Sequence, residues 1–268
     1  MEMKFMIPDV SGMTISAVQS FVKSNLRECI HYKAALLPVL AQDRRSSVND
    51  LCNFILSCEE KFNREYDRVK AMYDFDRRFG QFIAGVDEVG RGPLAGPIVA
   101  AAVILQADAD NADLILHLND SKKLSRKKRE ELAPIIKAKA LSWAIGEHSS
   151  QDIDELGIAV CNNDVFIRAI DCLKIRPSFI LSDGYPLKGS VIHGRGIIQG
   201  DAKSASIAAA SIIAKVHRDD LMRRMDDLYP GYGFAMNVGY GSKEHIDALK
   251  QLGPCPIHRK SFIRNIMA

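Results

Sequence analysis

The stretch Phe82-Ile83-Ala84-Gly85-Val86-Asp87-Glu88-Val89-Gly90-Arg91-Gly92-Pro93-Leu94-Ala95-Gly96-Pro97, running on into Ile98-Val99-Ala100-Ala101-Ala102-Val103-Ile104-Leu105, decides the fold. Phe82 to Asp87 and Pro97 to Leu105 are short apolar runs bracketed by Gly and Pro. Both read as buried strands, the second apolar on nearly both faces. Downstream, Ser142–Gly146, Ser178–Asp183 and Gly196–Gly200 read as three more. Helical patterns intervene at Arg126–Ala140, about Ile153–Leu173, and Ala205–Leu228, where Ala210, Ala214, Leu221, Met225 and Leu228 share a face. Strands in series, then strands separated by helices, predict an α/β fold with a mixed five-stranded sheet flanked by helices. Upstream of Gly80 the pattern is helical. Thr14 is placed to cap a helix carrying Ile15, Val18, Phe21 and Val22, and Val48 to Phe75 repeats apolar residues at helical spacing without Gly or Pro. The expected organisation is a helical N-terminal extension over residues 1–80 and an α/β domain over 81–268.

Composition narrows the class. At about 100–200 residues per domain, 268 residues make one large domain or two small ones. With 47% hydrophobic and 26% charged residues, the chain can bury a core without staples. No apolar run approaches the roughly 18 residues of a membrane span. Met1-Glu2-Met3-Lys4-Phe5 shows no basic region feeding an apolar one, so no secretion signal is expected. The six cysteines form no Cys-x-x-Cys pair, which argues against structural zinc and for reduced thiols in the cytoplasm. The net charge of +3 names no partner. The basic run Lys122 to Arg129 reads as a solvated helix face.

The chemistry sits at the strand ends. Asp87-Glu88 closes the first strand, Asp183 the fourth, and Asp201 follows the fifth. A carboxylate is expensive to desolvate unless it is paired or binds a metal. Acids converging at one sheet edge, with no His or Cys, form a hard oxygen cage suited to Mg²⁺ or Mn²⁺. Gly90 and Gly92 let backbone approach a ligand, and Arg91 adds a cationic fork. The loop is neither a dinucleotide fingerprint nor a Walker loop.

The segment Ile83 to Pro97 resembles the signature of type 2 ribonuclease H, the bacterial ribonuclease HII family. The resemblance continues through Asn119-Asp120-Ser121-Lys122-Lys123-Leu124-Ser125, Pro177 to Gly184, Gly200-Asp201-Ala202-Lys203-Ser204, Ala208 to Asp219, Gly239 to His245, and Pro256 to Phe262. These blocks stand in the family's order and cover roughly residues 82–263. The resemblance implies an RNase H-like fold and a site with Asp87, Glu88, Asp183 and Asp201 as both catalytic acids and metal ligands. It implies that Gly90-Arg91-Gly92 reads the 2′-hydroxyl at an RNA–DNA junction, that Tyr240 packs on the sugar there, and that Lys203 and Ser204 lie near the phosphate backbone. Two departures stand out: Asn237-Val238 replaces a His-Lys pair, and Gly157 stands where Asn is common. The N-terminal segment resembles an extension found in some bacterial members.

The expected reaction is hydrolysis of the RNA strand of an RNA/DNA hybrid, and incision 5′ of a single ribonucleotide in duplex DNA, leaving 3′-hydroxyl and 5′-phosphate. Two divalent ions about 4 Å apart stabilise charge on the attacking and leaving oxygens in such chemistry. Asp87 is expected to bridge them, with Glu88, Asp183 and Asp201 completing the shells. No membrane and no obligate protein partner are expected. Two rival readings are a non-catalytic hybrid-duplex binding module and a metal-dependent nuclease of other specificity on the same fold. Of the seven histidines, His258 is the candidate for a positioning role.

Overall fold

The computed structural model describes residues 6–106 and 113–267; Met1 to Phe5, where no signal was expected, lie outside them. Two compact units divide between Arg68 and Val69. The first holds α1 (Ile15–Ser24), α2 (Leu26–His31), α3 (Lys33–Ala41) and most of α4 (Ser46–Arg77). Thr14 caps α1 as expected, its hydroxyl accepting from the Ala17 amide at 3.2 Å. Val18, Val22, Leu36, Leu40, Val48 and Ile55 are fully buried in one core, each contributing about 1.5–3 kcal/mol by leaving water.

The division falls before residue 80 because the last turns of α4 pack with the second unit. Phe75 and Phe79 sit against Ile83, Leu181, Ile197 and Ile207. The second unit is built on β1 (Ile83–Val89), β2 (Ile98–Ile104), β3 (Ser142–His148), β4 (Phe179–Asp183) and β5 (Gly194–Ile197), in the order β3-β2-β1-β4-β5. β1 pairs antiparallel with β2 and parallel with β4, and β5 continues the parallel side. The sheet is mixed, as the alternation of strands and helices predicted.

Among the described residues the helices of this unit are α5 (Arg126–Lys139), α6 (Ser150–Leu156), α7 (Ile158–Asp171), α8 (Gly200–Lys203), α9 (Ala205–Leu228), α10 (Phe234–Asn237), α11 (Lys243–Leu252) and α12 (Lys260–Met267). The helix expected over about Ile153–Leu173 is two, because Gly157 at φ +82° turns the chain between α6 and α7. The fifth strand lies earlier than expected. It ends at Ile197, Gln199 turns left-handed, and Gly200 opens α8. One sheet face packs Val86, Ile98, Ala100 and Ala102 with Val165, Phe166 and Ala169 of α7. On the other, α9 crosses β1 at Gly85, where a Cβ would stand 2.1 Å from the Ser206 carbonyl carbon. That approach admits only glycine, and it brings α9 against the strand that carries the acids.

Candidate active site

Parallel pairing of β1 with β4 places the expected acids. Val86 lies opposite Ser182, so Asp87 and Asp183 emerge next to one another at one sheet edge. The Gly200 amide donates to Asp183 Oδ1 at 2.7 Å, which draws the turn bearing Asp201 to the same edge. Asp87 is only 8% exposed, and its Oδ1 accepts from the Glu88 amide at 2.8 Å.

Burial pushes the Asp87 carboxyl well above its usual range. The charges of Glu88 and Asp183 act in the same sense, against the Ser211 hydroxyl and the Glu88 amide. Glu88 is raised by burial and by Asp183, with Arg91 and Lys122 opposing. Asp201 is pushed up to about 6 by burial, then by Asp183 and Asp120. Asp183 therefore joins the other three electrostatically: its charge acts on Asp87, Glu88 and Asp201, which are all less readily ionised for its nearness. Among the described residues no three such groups are already closed into a metal cage.

The Gly90-Arg91-Gly92 loop lies beside them, Arg91 acting on Glu88. Gly90, at φ +95°, is packed so closely that a Cβ would meet Arg218 Nε at 2.4 Å, whereas Gly92 is open, its nearest neighbour being Tyr240 Cε1 at 4.0 Å. Arg91 and Gly92 are exposed, and Tyr240 is 44% exposed. The loop and the tyrosine turn are joined by backbone: Leu94 N donates to Gly239 O at 2.8 Å, and Arg259 N to Leu94 O at 2.8 Å. Two fully buried arginines complete the frame. Arg259 donates to the carbonyls of Gly90, Arg91 and Gly96 at 2.6–3.1 Å. Arg218 donates to those of Pro97, Ala95 and Val238 at 2.8–3.2 Å. A lysine could not replace either planar fork, which serves several acceptors at once.

Ser204, expected near the phosphate backbone, has no exposed surface. Its hydroxyl accepts from the Ile207 amide at 3.2 Å and caps α9. Lys203 remains exposed, its Nζ donating to Ile198 O at 2.8 Å. Asn237 and Val238, the departure from the family pattern, shape the tyrosine turn: Asn237 Oδ1 accepts from Gly239 N at 2.8 Å, and its amide donates to Tyr232 O at 2.7 Å. Sequence reasoning missed Asp120 and Lys122 as neighbours of the acids, and Ser211 as a group against Asp87. It also missed Arg218 and Arg259. For Asp120 a signal existed: an acid two residues before a basic run, within a block already tied to the family.

The family model described as Ribonuclease HII matches residues 84–265. The chain is 56% identical over 230 residues to the ribonuclease HII of Clostridium acetobutylicum, covering 85% of this chain and 91% of that one. With the Clostridium tetani ribonuclease HII it is 48% identical over 272 residues and 99% of both chains, so that likeness extends through the helical N-terminal unit. Among solved structures, the ribonuclease H2 from Pyrococcus horikoshii is similar at a TM-score of 0.60 and 27% identity, over 69% of this chain and 96% of that one.

Proposed function

The chain belongs to the ribonuclease HII family, and from that premise we propose how its acidic sheet edge works. It is a type 2 ribonuclease H, an endoribonuclease acting on RNA/DNA hybrids. The finer reading is that Asp87, Glu88, Asp183 and Asp201 are its catalytic acids and metal ligands. The enzyme then cuts hybrid RNA, and also the 5′ side of a single ribonucleotide in duplex DNA, leaving 3′-hydroxyl and 5′-phosphate. The observation that carries this reading is the set of mutually repelling carboxyls beside the Gly92–Tyr240 pair.

The donor set fits a hard divalent cation. It is oxygen only, and Asp87, Glu88 and Asp201 are raised by burial and by neighbouring carboxylates, a repulsion that a cation between them offsets. Asp87, Glu88, Asp183 and Asp201 would hold Mg²⁺ or Mn²⁺ there, as a two-ion site. Bound cations supply Lewis-acid polarisation and charge neutralisation in phosphodiester hydrolysis. The chain's own groups set where that chemistry falls. Gly90, Arg91 and Gly92 bring backbone close to the 2′-hydroxyl, the group that separates RNA from DNA at a junction. The Tyr240 ring packs on the adjoining sugar, and Lys203 offsets phosphate charge.

The test compares a long hybrid, a DNA duplex with one ribonucleotide, and an all-DNA four-way junction, each with Mg²⁺ and with Mn²⁺. The expected result is cleavage of the first two, with the single-ribonucleotide duplex cut on its 5′ side. Tight binding without cleavage supports the duplex-binding module instead, and cleavage of the junction alone supports a nuclease of other specificity.

A further inference from the structure

Two imidazoles stand behind Tyr240 that the cleavage chemistry does not use. His245, in the first turn of α11, and His258, before α12, are 0% and 3% exposed. Aromatic rings wall them in: Tyr232 lies 4.9 Å from His258, and Phe234 lies edge-on to His245 at 5.3 Å. The Cys255 amide meets His258 Nδ1 at 3.0 Å, the two Nε2 atoms are 3.1 Å apart, and His245 Nδ1 meets the Tyr240 carbonyl at 2.8 Å.

The ends of this chain fix every proton in it. An amide only donates, so His258 Nδ1 accepts and its proton lies on Nε2. The Cys255 carbonyl, at 3.3 Å from Nδ1, is the longer contact, and the Cys255 thiol at 3.1 Å is a second donor to that atom. A carbonyl only accepts, so the His245 proton lies on Nδ1 and its Nε2 accepts from His258. Donation therefore runs one way, from Cys255 through His258 and His245 to Tyr240. It requires both rings to be neutral, because a proton added at either accepting nitrogen sets two donors face to face. Burial pushes both below the usual histidine value, His258 to about 4.

Tyr240 needs such support. Gly239 and Gly241 flank it, offering no side chains to pack against, and its ring is half in solvent. Its carbonyl also accepts from Ser242 N at 2.8 Å, and its amide donates to Asn237 O at 2.9 Å. We propose that His245 and His258 are positioning residues, a one-way imidazole relay that orients the Tyr240 peptide and so holds its ring against Gly92. This rests on the reading of Tyr240 as a sugar contact.

Two measurements test it. Long-range ¹H–¹⁵N spectra of the full chain at neutral pH are expected to show two neutral rings, His245 protonated on Nδ1 and His258 on Nε2. The opposite tautomer or a charged ring overturns the relay. In kinetics on the single-ribonucleotide duplex, His245→Leu is expected to raise KM about tenfold with kcat little changed, as for one lost hydrogen bond that orders a binding group. His245→Asn, whose amide can donate to the Tyr240 carbonyl, restores KM toward the wild type. If Tyr240→Ala raises KM but a folded His245→Leu does not, the relay alone is overturned; if neither does, the sugar-contact reading falls with it.

Discussion

At Asp87 burial and neighbouring charge act in one direction, which is why its position could be read from the sequence while its surroundings could not. An acid at or just after the end of an apolar run stands out, and four of them, with the ordered family blocks, marked the candidate site. Ser211 did not stand out. Within Ala208 to Ala214 a serine looks like ordinary helix surface, and only the close crossing of α9 over β1 at Gly85 brings its hydroxyl to Asp87. The burial of Ser204 was equally hidden: it follows the exposed Lys203, but it has no exposed surface and its hydroxyl caps α9. Tyr240 is the residue whose role is most exposed to test. Its replacement by Ala is expected to weaken cleavage of single-ribonucleotide duplexes by about 1–3 kcal/mol of stacking-type energy, leaving metal affinity as it was. An equal loss on long hybrids, measured as kcat/KM, would mean the ring has a general structural role.

Among the elements, α9 ties the site together, and its N-terminus is anchored from outside the matched family region. Asp76, at the end of α4, is 5% exposed, and its Oδ2 accepts from the amide and hydroxyl of Ser206, each at 2.8 Å. Its Oδ1 is buried with no hydrogen-bond partner among the described residues. Burial pushes this carboxyl up to about 6, against the opposing hydrogen bonds of Ser204, Ser206 and Ala205. The folded state thus holds the Asp76 proton more tightly than the unfolded chain, whose value is near 3.8. Its stabilising contribution is complete below pH 3.8 and is lost as pH rises through about 6, a swing of roughly 3 kcal/mol by linkage. Urea unfolding of Asp76→Asn across that range is expected to lack this component of the wild-type slope. An unchanged slope would show that Asp76 is ionised in both states. The sequence located α9 to the residue, from the face shared by Ala210, Ala214, Leu221, Met225 and Leu228. It gave no hint of Asp76, because a contact across 130 positions leaves no local pattern.

For the whole molecule, helical periodicity made the N-terminal segment legible as a separate body, but not where that body ends. α4 runs without a break from one unit into the next, so no Gly or Pro marks the division. Truncation separates the two parts. Removing residues 1–68 keeps Phe75, Asp76 and Phe79 and is expected to leave the cleaved phosphate unchanged, with any defect in duplex affinity. Removing residues 1–78 deletes Phe75 and Asp76 and is expected to lower the thermal midpoint by roughly 10 °C, at about 2–4 °C per kcal/mol for a domain of this size. A folded 69–268 chain that cut a different phosphate, or nothing at saturating substrate, would show that the first unit builds part of the site.

The account as a whole rests on carboxylates that hold the cations for cleavage, and Asp87 is the most buried of them. Its replacement by Asn keeps the shape, removes the charge and relieves repulsion from Glu88 and Asp183. The decisive measurement is the single-turnover cleavage rate of Asp87→Asn on a saturating single-ribonucleotide duplex with Mn²⁺, beside its duplex affinity. The expected rate is below about a tenth of the wild-type rate with affinity largely intact; a rate above that would contradict the assignment of Asp87 as a metal-holding acid.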